Sequence, residues 1–187
     1  RVLKGKPLEN SLPESALAAA RSDPAVAVAA PLLMLTIPQT VNGRADMWVG
    51  LDQSALALKP WWKAAAGQSW FTNEDSVILG CDAAEIEMRA PGDSFFCPEA
   101  GRNLRVAGVL ARGGTSDDSL FFVPLRTAQA MFHQPGRLTA IAIRLRDPAL
   151  LSQAAQRLQL IPGAQVVTMT EMMGTFLNLL GAVRSLV

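Results

Sequence analysis

The stretch Ser76-Val-Ile-Leu-Gly-Cys-Asp-Ala-Ala-Glu-Ile-Glu-Met-Arg-Ala-Pro-Gly-Asp93 is continued by Asn103-Leu-Arg-Val-Ala-Gly-Val-Leu110 and Phe121-Phe-Val-Pro-Leu-Arg-Thr-Ala-Gln-Ala-Met-Phe132. A short apolar run ends at Gly80. A helix-like segment with Ala83, Ala84, Ile86 and Glu87 follows and stops at the turn Pro91-Gly92-Asp93. Two β-like runs come next, and Val123-Pro124 then opens a helix that ends before Pro135-Gly136.

Upstream, Ser11-Leu-Pro-Glu14 has the pattern of a capping box, and the alanine-rich segment after it predicts a helix over 12–21, stopped by Asp23-Pro24. Val26 to Ile37 is almost continuously apolar and reads as a buried strand with a bend or bulge at Pro31. Asn42-Gly43 is a hairpin signal, with Met47 to Leu51 returning. Pro60 to Gly67 predicts a short helix. Glu74 to Leu79 then leads back into the central stretch.

Downstream, residues 138–144 alternate as a strand does, Asp147-Pro148 opens a helix, and 165–168 form a last strand, so 138–168 reads as β-α-β. Thr168-Met-Thr-Glu171 repeats the capping-box pattern. The apolar segment 172–187 reads as a helix that heads toward a membrane and is cut off before the membrane core.

The central stretch resembles the extracytoplasmic core domain of MacB/FtsX-type ABC transporter permeases. The resemblance is carried by Leu79-Gly80, Pro91-Gly92-Asp93, Val106-Ala-Gly-Val109, and Val123-Pro124-Leu125 with Gln129, in the family's order. It implies an α+β fold, with one extracytoplasmic domain over 1–187. A porter-like α/β subdomain is built from both chain ends (8–41 and 136–171), a β-rich subdomain is inserted at 42–135, and a stalk helix at 172–187 leads to a transmembrane segment.

The resemblance also implies a function. The domain would be the non-catalytic periplasmic part of a MacB/FtsX/LolC-E-like permease in the bacterial inner membrane, coupling ATP-driven motion to the handling of a substrate or partner. Its implied partners are a cognate ABC ATPase reached through the membrane part and a second permease copy or paralogue. A periplasmic adaptor, a lipoprotein or a peptide are compatible further partners. A ligand-binding or sensor module of a membrane receptor, with a cleft between its subdomains, is the alternative from another class.

Composition agrees with a non-nucleic-acid role: 17 Lys and Arg stand against 16 Asp and Glu, a formal charge of +1. Half of the 187 residues are hydrophobic, yet no run of 18 uncharged apolar residues occurs. The first residue is Arg1, which reads as the start of an excised segment. No cofactor motif is present, since Gly113-Gly114-Thr115 lacks the Gly-Lys-Ser/Thr of a phosphate loop.

Four residues stand out as sites. Cys81 and Cys97 could form a disulfide if a helix of about 12 Å ran out from Cys81 and a strand of about 13 Å folded back at Pro91-Gly92. Two separate buried thiols are the other reading. Both cysteines and the adjacent Trp61-Trp62 depart from the family pattern, and that tryptophan pair is a candidate partner-facing surface beside a core-packing reading. No metal site is expected, because one His and two Cys lack ligand spacing. Neither is a catalytic site: His133 suits a helix C-terminus, and Glu85/Glu87 and Asp117-Asp118 read as solvent-facing.

Overall fold

The computed structural model describes residues 11–38, 44–171 and 174–181. The chain opens with β1 (Leu12–Pro13), α1 (Ser15–Ser22), β2 (Val26–Pro38) and β3 (Ala45–Leu51), where β2 and β3 pair antiparallel. The Asn42-Gly43 turn expected between them, like the lead-in 1–10, lies outside the described residues. After a 3₁₀ turn at Gln53–Leu58 come β4 (Ala64–Gly67), β5 (Ser76–Leu79), α2 (Cys81–Glu87), β6 (Ser94–Cys97) and β7 (Arg102–Leu110). A second 3₁₀ turn, Ser116–Ser119, leads to β8 (Phe121–Pro124) and α3 (Leu125–Met131). The chain ends with β9 (Arg137–Leu138), β10 (Ala140–Leu145), α4 (Leu151–Leu158), β11 (Ala164–Glu171) and β12 (Gly174–Gly181).

A mixed sheet runs in the order β11-β12-β10-β2-β3-β8-β5-β7-β4, with β6 also on β7 and the pair β1-β9 beside it. Alternation along β2 builds the layers. Its odd residues Ala29, Leu33, Leu35 and Ile37 enter the cores beneath the helices, while Ala30, Val28, Leu32 and Met34 face the 3₁₀ turn and the tryptophan loop. One helix-side core gathers Leu12, Ala16, Ala20, Ile141, Ile143, Ala154 and Leu158. Another gathers Trp48, Phe95, Phe121 and Phe132, with the Trp48 and Phe121 rings stacked at 4.9 Å. Such a ring pair adds about 0.5–1.5 kcal/mol beyond area burial.

Several expectations are corrected. The Ser11–Glu14 capping box is not used, and α1 begins at Ser15 with no side-chain cap. Both side chains are taken by tertiary partners: the Ser11 hydroxyl accepts from Arg137, and the Glu14 carboxylate accepts from Arg126 and Gln129.

Pro31 does not bend β2, and the register shift falls instead at Arg144/Leu145 of β10. The Leu32 carbonyl accepts from Thr139 on the β10 side, so Pro31 turns its main chain the other way. There β3 stops at Leu51 opposite Leu32, and a missing N–H costs nothing at an unpaired margin.

Pro60 to Gly67 is not helical. The 3₁₀ turn sits earlier, started by the Asp52 carboxylate accepting from Ser54 N–H, and Ala64–Gly67 instead pairs along β7. An alanine run has helix propensity but no apolar stripe of its own, so pairing along β7 overrides it.

The stalk helix is corrected as far as it is described. Gly174–Gly181 is a strand between β10 and β11. A continuous apolar run carries no period that separates buried strand from helix. Residues 172–173 and 182–187 lie outside the described part. Among the described residues no helix is long and apolar enough to cross a membrane.

Candidate functional site

A groove of about 1000 Å³ opens between α1 and the loop at 70–74. Leu17, Ala18 and Arg21 form one wall, Trp70, Phe71 and Asn73 the other, with Leu51, Pro31 and Leu138 along the floor. The aromatic wall is braced from behind. Trp62 lies edge-on to Phe122 at 4.8 Å and packs on Trp70 at 5.9 Å, while its Nε1 donates to the Ser69 carbonyl at 2.6 Å. The loop beyond is pinned by Ser76 Oγ, which accepts from Thr72 and Asn73 N–H, and by Thr127 Oγ1 donating to the Glu74 carbonyl.

A clasp closes one end of the groove. Gln129, nearly fully buried on α3, donates to Glu14 Oε1 at 2.8 Å and to the Arg137 carbonyl at 3.1 Å. Arg126 donates to the same Glu14 oxygen at 2.9 Å. Arg137 in turn donates to Ser11 Oγ at 2.8 Å and to the Ser11 carbonyl at 2.6 Å. Hydrogen bonds to charged groups contribute about 1.5–3 kcal/mol each where burial protects them. Three distant parts of the sequence thus meet at Gln129, a role that its spacing in a helix pattern does not reveal.

Trp61 and Trp62 both half-bury themselves, because they follow the 3₁₀ turn in irregular backbone and not on a helix. Trp61 Nε1 donates to Asp117 Oδ2 at 3.0 Å, and Lys59 pairs with the same oxygen at 2.6 Å while lying 5.5 Å from the Trp61 ring centre. This cluster rims a second, mostly apolar cavity of about 330 Å³.

Asp117 and Asp118 are buried, contrary to the solvent-facing expectation. Asp118 accepts from the N–H groups of Gly113 and Gly114 at 2.8 and 3.0 Å. Glu87 is half-buried, and burial, with the Asp46 charge adding to it, raises its pKa.

The Cys81–Cys97 bridge is not formed: both are free thiols. The chain does not fold back at Pro91-Gly92. Gly92, at φ +92°, places its N–H on the Val106 carbonyl, and β6 continues along β7 in the direction α2 was already travelling. Cys97 therefore pairs with Arg102, while Leu79, two residues before Cys81, lies opposite Val109. Positions 102 and 109 of one strand are about 23 Å apart at roughly 3.3 Å per residue, and a bridge needs Cα atoms within about 7 Å. Burial raises the pKa of both thiols, so neither is an activated nucleophile. His133 is exposed at the end of α3 in a left-handed conformation.

Cys81, Asp82 and Asp118 have ligand atoms within 4.8 Å of one another. They do not fit a metal ion: Arg112 already bonds Asp82 at 2.6 Å and lies 3.8 Å from Asp118, so a cation occupies the charge position. The Asp118 oxygens are also committed to backbone N–H groups.

The geometry describes a braced body, and comparison with known proteins shows its family. The family described as MacB-like periplasmic core domain matches residues 2–161. No curated protein matches the chain. Among solved structures, the extracellular domain of the noncanonic ABC-type transporter YknZ from Gram-positive bacteria superposes with a TM-score of 0.65 at 14% identity, covering 81% of this chain and 82% of its own. The periplasmic region of MacB from Actinobacillus actinomycetemcomitans gives a TM-score of 0.60 at 15% identity, over 79% of this chain and 73% of its own. The chain belongs to the MacB-like periplasmic core domains, the extracytoplasmic part of an ABC transporter permease.

Proposed function

We propose that this domain is the non-catalytic coupling body of its permease, converting motion generated by a cytoplasmic ATPase into events on the outer side of the membrane. The observation that carries the reading is the clasp at Gln129, which ties the N-terminal segment at Ser11 and Glu14 to the insertion and to the returning strand at Arg137. A pull on the N-terminal segment is delivered to three elements together. Family membership implies an ATPase partner and a dimeric assembly. We take 8–41 and 136–171 as a porter-like subdomain and 42–135 as the insertion, because the core around Leu12 and Ile141 is drawn almost wholly from the two ends.

The test uses the whole permease with its ATPase in membranes. Gln129→Ala and Glu14→Gln are expected to leave basal ATP hydrolysis in place and to lower its coupling to transport severalfold. Unchanged transport with a folded variant would overturn the proposal.

The groove favours a second reading, ligand binding between α1 and the aromatic wall. A ligand there would alter tryptophan emission, and Trp70→Phe would remove much of that change.

A further inference from the structure

Where β3 leaves β2 at Leu51, the margin of β2 from Val26 to Ala29 has no neighbouring strand on that side among the described residues. A shallow cavity of about 280 Å³ lies against it, lined by Arg21, Val26, Ala27, Val28, Ala29, Ser54 and Arg146. Arg21 donates through Nε and Nη2 to the Ala29 carbonyl at 3.2 and 3.0 Å, and Arg146 donates through Nε to the Pro24 carbonyl at 3.1 Å. These bonds orient both guanidinium groups and leave Nη1 of Arg21 and both Nη atoms of Arg146 without an acceptor among the described residues. Arg144, one position before the register shift, reaches the Ala57 carbonyl on the neighbouring turn at 2.8 Å.

None of these three arginines has an ion-pair partner among the described residues, although six other ion pairs occur there. The carboxylates near them in sequence are committed elsewhere. Asp23 holds Arg157 with two bonds, Asp52 holds Ser54, and Asp147 accepts from the Ala149 N–H. Ala27, moreover, has no register partner on β10 and lies at the cavity wall. Among the described residues no carboxylate lines the cavity. Oriented guanidinium groups that make no direct ion pair among the described residues and keep donors open to solvent attract a polyvalent oxyanion, and the guanidinium fork matches phosphate oxygens.

We propose that this cavity binds the phosphate group of a ligand, held between Arg21 and Arg146. The inference is independent of the clasp and of the aromatic groove. A lipid headgroup and a soluble phosphate ester share this chemistry, and the experiment separates them.

The 187-residue chain would be titrated with inorganic phosphate and glycerol 3-phosphate while the amide signals of Ala27, Ala29 and Ser54 are followed. In parallel it would be sedimented with vesicles of phosphatidylglycerol and phosphatidylcholine. Arg146→Gln, whose side chain holds only one exposed carbonyl, is the first variant, and Arg21→Gln with Arg146→Gln the second. Arg102→Gln, remote and paired with Asp75, is the control. Saturable shifts with the soluble phosphates, weakened about tenfold or more in the double variant, would support the site and assign it to soluble esters. Vesicle binding alone, lost in the double variant and kept in the control, would support it and assign it to lipid. No binding by either probe, or equal loss in Arg102→Gln, would overturn the proposal. Circular dichroism shows whether each variant is folded, and Arg146→Gln decides if the double variant is not.

Discussion

Gly80 and the main chain of Asp117 touch so closely that a methyl group cannot come between them: a Cβ at position 80 would lie inside 3 Å of the carbonyl oxygens of both Asp117 and Asp118. The Gly80 N–H meanwhile donates to the Leu120 carbonyl at 3.0 Å. The turn Ser116–Ser119 is thus seated directly on the start of α2. Gly80→Ala is expected to lose about 1–3 kcal/mol through overpacking against backbone that cannot rotate away. Urea unfolding should show a lower midpoint with an unchanged slope, and an unchanged midpoint would count against this packing.

Asp23 and Arg157 join the end of α1 to α4 by two bonds of 2.8 and 2.9 Å. The Arg157 hydrogen bond holds the Asp23 carboxyl below its ordinary value of 3.8, with smaller help from the Ala25 N–H. A depressed acid stabilises the fold above its unfolded pKa and loses that contribution as pH falls through the folded one. Asp23→Asn should therefore cost about 1–2 kcal/mol at neutral pH. The gap from the unchanged protein should narrow once the pH drops below about 3.8. A pH-independent gap would mean that shape and not charge is responsible.

Glu87 has the opposite sign. Burial raises its pKa above the ordinary 4.5, and the Asp46 charge adds to the effect. As pH rises past 4.5 the unfolded chain ionises first, so stability is lost until the folded carboxyl has also ionised. Glu87→Gln should stabilise the domain at neutral pH, with the gain vanishing below about pH 4.5. Thermal melts at pH 4 and pH 7 would check it, and a gain of equal size at both would refute the assignment.

Cys81 is half-buried at the start of α2 and Cys97 is buried on β6. Alkylation of the native protein without reductant should label Cys81 first, and unfolding without reductant should then label both. Mass spectrometry that finds neither modified in the unfolded chain would restore the bridge.

Local turn chemistry made the central third of the fold readable. Gly80, Gly92 and Pro124 mark element boundaries with backbone needs that neighbouring residues cannot disguise, and β5 through α3 follow in the expected order. What sequence did not show depends on partners far along the chain. Ser11 and Glu14 carry a capping pattern, yet Arg137, Arg126 and Gln129 claim them from more than a hundred residues away. Ala64–Gly67 follows the edge of β7 and not its own propensity. Asp117 and Asp118 look like turn residues until Lys59, Trp61 and Gly113 are placed against them. The groove was legible only as a cleft implied by two subdomains, because neither wall has a motif.

The thirteen-residue β2 contributes to the core beneath α1 and α4 and also to the core around Trp48. With β2 shared, the two regions have no seam at which to open and close like jaws. Under the coupling role proposed above, displacing one end would tilt or twist the whole plate, as a lever arm leans.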